Sequence, residues 1–436
     1  MKISNIEKQV GIETFFSPFK GIGGKLRTIS EDFIVNEISD FPNEKKNGNF
    51  TIAKVTSINW ETNTLIRELS NRLHISRQRI SFAGTKDKRA KTTQLMSFQD
   101  VAFEKLSKVK IKDVAIDNIY RSNKNVRLGM LIGNDFAVKI RGIARSKKKK
   151  DIEQIYSFIL KSKGFPNFYG IQRFGIVRPN THIVGKFIVK DDFEKAVMSY
   201  IANPMDSEDE EINSLRAELQ DTYDFSSALK NYPNVLNFER AILNQLVVNT
   251  KDFVEALKVL PKNLLTMFVY AYQSYLFNKI LSERIRRNLP INNAIIGDIV
   301  LPIRKDVVDN KEIFVNDNNI EKANKQIKNG KAVVSGLLYG YDSVFSQGEM
   351  GEIEHKIIEK EKIDHRDFII PDIPFISSSG SRRSLIASVK DFNYRFLNDD
   401  LNKGKKAALL KFKLNKGSYA TSLLREFMKS DNIKNY

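Results

Sequence analysis

The hydrophobic period switches twice between residues 50 and 98, which limits the possible folds more than any other feature of the chain. Residues 50–58 read as a strand. From Thr62 the spacing becomes helical, with Leu65, Ile66, Leu69 and Leu73 on one face and Thr62 placed to cap the first turn. Ile80-Ser81-Phe82 reverts to a short strand, and Thr92 to Phe98 continues it beyond a loop. An earlier strand is predicted at Asp32-Phe33-Ile34-Val35, after a glycine turn. The resulting order is strand–helix–strand–loop–strand. Functional groups gather at connections of this kind, because a rigid scaffold fixes them in place.

The loop itself is Ala83-Gly84-Thr85-Lys86-Asp87-Lys88-Arg89-Ala90. It sets one carboxylate, Asp87, among three cations, and nearby positive charge favours the ionised form of an acid. An ionised carboxylate in a pocket that also attracts phosphates is equipped to attack a sugar carbon of a nucleic acid. Taken alone, the loop reads equally well as a charged turn. A second segment, Asn167-Phe168-Tyr169-Gly170-Ile171-Gln172-Arg173-Phe174-Gly175, combines three aromatic rings with two carboxamides and an arginine. An enzyme that works on a base within folded RNA extrudes it, stacks it on a ring and reads its edge, and these residue types suit that task. Phe174 reads as core.

The charge balance points the same way. The 436 residues hold 71 Lys and Arg against 52 Asp and Glu, a formal charge of +19, so a polyanionic partner is expected. A length of 436 residues fits two or three domains, and 41% hydrophobic residues exclude global disorder. No apolar run reaches the roughly 20 residues needed to span a bilayer, and the N-terminus lacks a signal-peptide core. Cysteine is absent, which removes disulfides, thiolate nucleophiles and thiolate metal sites. The four histidines, His74, His182, His355 and His365, have no metal-ligand spacing, so neither a metal nor a histidine triad is expected. The expected setting is the cytoplasm, and the expected state a monomer.

Composition also divides the chain. Residues 101–150 hold 14 Lys or Arg against 4 acids, ending in Lys147 to Lys150, which read as a solvated basic face. Asp206 and Glu208 to Glu211 form an acidic stretch, expected as an exposed loop. Helices are predicted over 239–259 and from Asn263 to Arg287, the second mostly buried; strand-like runs such as Ile295 to Val300 follow. Gln273, Ser274 and Asn278 interrupt the buried helix and need partners, read as interdomain hydrogen bonds. The last 36 residues are basic again, 9 Lys or Arg against 2 acids. This order suggests a nucleic-acid-binding domain interrupted by an insertion. Gly21-Ile22-Gly23-Gly24-Lys25 departs from the phosphate-loop pattern and reads as a turn. Gly417-Ser418-Tyr419-Ala420-Thr421 either holds a phosphate at a helix start or caps a core helix.

Together these segments closely resemble the TruD family of tRNA pseudouridine synthases. The resemblance rests, in order, on Glu31 to Val35, Ala83 to Ala90 with Thr92-Thr93-Gln94, Leu128-Gly129 with Gly133 to Phe136, Asn167 to Gly175, Gln273 to Asn278, and Gly417 to Thr421 with Arg425-Glu426. It implies an α+β protein: a pseudouridine-synthase catalytic fold, with a mixed, mainly antiparallel sheet and flanking helices, over residues 1–179 and 386–436, and an inserted α/β TRUD domain over 180–385. It also implies conversion of uridine to pseudouridine in tRNA at position 13 of the D arm, by way of a base-flipped uridine and with no cofactor. Asp87 aligns with the family's catalytic aspartate, and Asn167 and Tyr169 with residues that line the uracil pocket. Lys86 and Arg27 are the cations expected there. Relatives often carry Lys near positions 27 and 57, where this chain has Arg27 and Ser57, and many have Phe in place of Tyr169. The charge pattern alone equally permits a non-catalytic tRNA-binding chaperone, and the motifs permit a synthase acting on another RNA uridine.

Overall fold

The computed structural model describes residues 3–86, 88–205, 208–304, 307–432 and 435–436. The chain divides into two compact units, Ser17–Phe165 with Ala387–Tyr436, and Lys2–Phe16 with Pro166–Ile386. The sequence expectation placed the junctions at 179/180 and 385/386.

The first unit is built on a sheet of eight strands among the described residues. Its strands are β1 (Phe33–Ser39), β2 (Phe50–Ile58), β3 (Ile80–Phe82), β4 (Lys91–Gln99), β5 (Val114–Ser122) and β6 (Leu131–Ile143), followed by Lys390–Asn398 and Lys406–Asn415. β4 runs parallel to β1, with Val35 opposite Thr92, and antiparallel to β2, with Ser57 opposite Thr92. All other pairings in this sheet are antiparallel. It is thus mixed and mainly antiparallel with helices packed on it, the fold class that the resemblance implied.

Two apolar clusters hold these helices. The Thr62–Leu73 helix buries Leu65, Ile66, Leu69 and Leu73 against Ala53, Val55, Met96 and Phe98, the face its period predicts. The Lys149–Lys161 and Ala420–Met428 helices bury Ile152, Ile155, Leu423 and Phe427 with Val138, Leu410 and Phe412. Each fully buried Leu, Ile or Phe contributes about 1.5–3 kcal/mol. The Gly21 to Lys25 segment, expected as a turn, instead lies along the end of the Ala420–Met428 helix: the Ile22 and Gly23 amides donate to the Phe427 and Met428 carbonyls, Gly23 and Gly24 take positive φ, and Lys25 pairs with Arg141 of β6. Arg141 is anchored in turn: its Nε lies 2.8 Å from both oxygens of Asp32, and its Nη1 lies 3.0 Å from Asp399. The start of the expected β1 strand, Asp32, is therefore a buried ion-pair partner that precedes the strand.

The second unit is mainly helical, with a small antiparallel sheet that includes Ile299–Arg304, Ala332–Leu338 and Ser381–Ser384. Its axis is the Lys262–Arg286 helix, largely buried as predicted. The Thr181–Val189 helix crosses it at close range: a Cβ on Gly185 would lie 1.9 Å from the Phe268 carbonyl, so only glycine fits. The predicted 239–259 helix is broken into Asn237–Val248 and Phe253–Lys258. Asp252 starts the second piece by accepting from the Glu255 amide, which competes with helix continuation. Ile295 to Asp298 precede their strand as a turn. In the acidic stretch Asp209, Glu210 and Glu211 are exposed as expected, but Asp209 caps the Glu210–Thr222 helix, so the last two acids open a helix rather than lie in a loop. Asp206 lies outside the described residues, but Glu208 pairs at 2.7 Å with Arg216, which is fully buried, so Glu208 is held inward by charge.

Candidate active site

The loop before β4 is fastened at several points within the first unit. The Gly129 amide donates to the Ala83 carbonyl, and the Asn59 amide to that of Ala90. The Lys86 amide donates to Thr62 Oγ1 at 2.8 Å. Thr62 therefore does not cap its own helix. That role falls to Glu61, whose carboxylate accepts from the amides of Asn63 and Thr64. Lys86 also reaches inward, with Nζ 2.6 Å from Glu37 Oε2, and both side chains are almost fully buried. Glu37 comes from β1 and accepts further bonds from Ser39 Oγ and the Leu95 amide. The two further bonds satisfy the second oxygen of the Glu37 carboxylate, which lowers the cost of burying the pair. Asp87, the expected nucleophile, lies outside the described residues. Its neighbours Lys88 and Arg89 are exposed.

Arg27 sits in the same unit, half-buried and at positive φ (52°). Its guanidinium lies 4.1 Å from the centre of the Phe33 ring, and its carbonyl accepts from Arg89 Nη2 at 3.3 Å. The backbone conformation that carries this contact is uncommon for a side chain other than glycine.

Asn167 and Tyr169 belong to the second unit, where they form one construction with Arg383. Alternation along the Ser381–Ser384 strand sends Arg382 and Arg383 to opposite faces. Arg382 is buried against Glu354, 2.8 Å away. Arg383 instead lies over Tyr169, its guanidinium carbon 4.0 Å from the ring centre, and donates to Asn167 Oδ1 at 2.7 Å and to the Asn167 carbonyl at 3.2 Å. The Asn167 Nδ2 donates to the Ser384 carbonyl at 3.0 Å. Both main-chain groups of Tyr169 are gripped by one side chain: its amide donates to Asn278 Oδ1 and its carbonyl accepts from Asn278 Nδ2. Phe277 meets the Tyr169 ring edge-on at 5.7 Å. Phe174 is fully buried, as predicted.

Gln273, Ser274 and Asn278 of the long helix each find partners in this unit. Gln273 donates to the Tyr339 carbonyl and Ser378, Ser274 to the Tyr270 carbonyl, and Asn278 to Val10 and Tyr169. These bonds stay within one compact unit, which corrects the interdomain reading; the helix uses them to shape the Tyr169 segment. The Ala420–Met428 helix that follows Gly417 is nearly all buried. Sequence reasoning missed Glu37 and Arg383. The adjacent Arg382-Arg383 pair was the one available signal for the latter.

The sequence pattern of the tRNA pseudouridine synthase D (TruD) family matches residues 9–427. The chain belongs to the TruD family. It is 42% identical over 436 residues to a protein of Methanococcoides burtonii named "Probable tRNA pseudouridine synthase D", covering 99% of each chain. A protein of the same name from Methanosarcina mazei is 43% identical over 434 residues, with 98% of each chain covered. A crystal structure of the "Putative tRNA pseudouridine synthase D (TruD)" from Methanosarcina mazei superposes with a TM-score of 0.88 at 42% identity over the full length of both chains. TruD membership thus spans both units and includes the Ala83 to Ala90 loop and the Asn167 segment. Among the described residues no group of three or more metal-binding side chains occurs, and no helix is long and apolar enough to cross a membrane.

Proposed function

We propose that this protein isomerises uridine to pseudouridine in tRNA, at position 13 of the D arm, with Asp87 as the nucleophile. The observation that supports this best is membership of the TruD family across 9–427, with the Asp87 loop intact in the sequence. The reaction breaks the bond from C1′ to N1 and joins C1′ to C5; N1 gains a proton and C5 loses one. No redox change or leaving molecule is involved. The protein therefore supplies a nucleophile, a means of retaining the detached base and a proton acceptor.

Asp87 adds to C1′ of the ribose or to C6 of the base. Tyr169 supplies the ring on which the flipped uracil stacks, and Asn167 lies beside it to read its polar edge. Holding the loose base in position counts most between bond breaking and bond making. Lys86 anchors the nucleophile's loop through Thr62 and Glu37, and Arg27 supplies charge toward the RNA backbone. In this reading the unit containing the mixed sheet is the catalytic domain, and the second unit carries the family-specific domain together with the base platform.

The test is direct. Incubating an unmodified tRNA transcript with the protein and mapping pseudouridine should give one modified site, U13. No pseudouridine would favour a tRNA-binding chaperone, and a different position would favour another RNA specificity.

A further inference from the structure

The second unit contains a cavity of about 300 Å³ that borders Tyr169 but not Asn167 or Arg383. That is at the lower end of volumes that accept a small organic ligand. Its walls are Tyr169, Arg173, Tyr270, Gln273, Tyr341 and the serine-rich loop of residues 377–381. No carboxylate lines it among the described residues. Two tyrosines on its lining, Tyr270 and Tyr341, are each 44% exposed. Arg173 donates from Nε to Ser274 at 3.2 Å, and its other nitrogens meet no acceptor among the described residues.

Hydrogen bonds pin the loop that lines this cavity. The Tyr341 and Asp342 amides donate to the carbonyls of Ser378 and Ser379, while Ser378 Oγ accepts from Gln273. Gly380 has φ +83°, and a Cβ there would lie 2.1 Å from Ser343 Oγ, so the loop admits only glycine. The amides of Ser379 and Gly380 are left without a hydrogen-bond acceptor among the described residues. Two exposed tyrosines, one arginine and a run of serines lining one cavity match the chemistry of a nucleotide: a flat base and an anionic phosphate.

We infer that this cavity is a second nucleotide subsite, holding one unpaired nucleotide adjacent in the RNA to the uridine seated at Tyr169 and Asn167. Its base rests on the Tyr270–Tyr341 rim and its phosphate on Arg173. Adjacency follows because Tyr169 is a wall shared by the cavity and by the proposed uracil position. In this one respect the inference rests on the pseudouridine-synthase reading. Two successive splayed nucleotides would make the enzyme sensitive to the identity and flexibility of the target's neighbour.

Binding of a fluorescent tRNA transcript, followed by anisotropy on the full-length protein, tests this without needing turnover. Tyr341→Ala and Tyr270→Ala should each weaken binding about tenfold, as loss of one base–aromatic stack does. Tyr341→Phe should bind as the wild type does, and melting temperatures should be unchanged because both rings are exposed. An abasic site at the nucleotide flanking the target should weaken wild-type binding similarly, and the two penalties should not add. A double Tyr270→Ala, Tyr341→Ala variant within twofold of wild type would overturn the subsite, as would additive penalties at every flanking position. Pseudouridine is assayed in parallel. Its absence with wild-type protein sinks the enzymatic reading, while the binding series still decides whether the cavity takes a nucleotide.

Discussion

The Arg383 guanidinium joins the two residues proposed to receive the uracil: it stacks 4.0 Å over the Tyr169 ring and bonds Asn167 Oδ1 at 2.7 Å. One planar fork thereby fixes the ring and the carboxamide relative to each other. Arg383→Ala should lower kcat about 100-fold, the scale of loss that a misplaced reacting group produces, with tRNA affinity changed less than about threefold. Arg383→Lys keeps the charge but loses the fork and should recover little. Single-turnover kinetics beside direct tRNA binding separates these effects. Equal losses in binding and rate would assign Arg383 to RNA affinity instead.

Asp87→Asn should abolish pseudouridine formation and leave tRNA binding almost intact. The substitution keeps size and removes the nucleophilic charge, so only the chemical step should suffer. A binding loss of more than about 2 kcal/mol in parallel with activity would point to an electrostatic or structural role.

Lys86 distinguishes activation from anchoring. Its ammonium is already paired with Glu37, and a neutralised pair exerts a weaker field on a neighbouring carboxylate than a lone cation does. Lys86→Met should therefore destabilise the fold by about 3–5 kcal/mol, because it strands a buried carboxylate. Adding Glu37→Gln should restore most of that stability. If the double variant refolds and its kcat keeps the acidic limb of the wild-type pH profile, anchoring is supported. A limb moved to higher pH would show that Lys86 holds Asp87 ionised.

What the sequence made legible was local. β2 spans Phe50–Ile58 as predicted, the Thr62–Leu73 helix buries the predicted face, and β3 and β4 flank the loop as alternation required. These features depend on neighbours a few residues apart. The errors lie where a side chain is claimed from afar. Thr62 looks like a helix cap, but its hydroxyl serves the Lys86 amide 24 residues away, and Glu61 caps instead. Glu208 looks solvent-bound until Arg216 is known to be buried beside it. Arg383 binds Asn167 across 216 residues, a pairing that no local period encodes.

His182 supplies a pH dependence with a definite sign. Burial pushes its pKa down from 6.5 to about 4, against smaller opposing effects of the Gln9 carbonyl and Glu361. The ring packs between Tyr275 at 5.0 Å and Phe174 at 5.2 Å, so it supports the segment that carries Tyr169. Above pH 6.5 neither folded nor unfolded chain holds the extra proton, and the stability contribution is complete. As pH falls from 6.5 toward 4, the unfolded chain takes a proton that the folded one refuses, and stability is lost. At about 1.4 kcal/mol per tenfold change in proton affinity, this amounts to about 3 kcal/mol. Urea unfolding of wild type and His182→Phe at pH 7.5 and 4.5 measures it. The variant should lose about 2–3 kcal/mol less than wild type between the two pH values, most of the full effect, because its ring cannot take a proton in either state. Identical losses in both proteins would mean that His182 is protonated in place and that its burial is not what the packing describes.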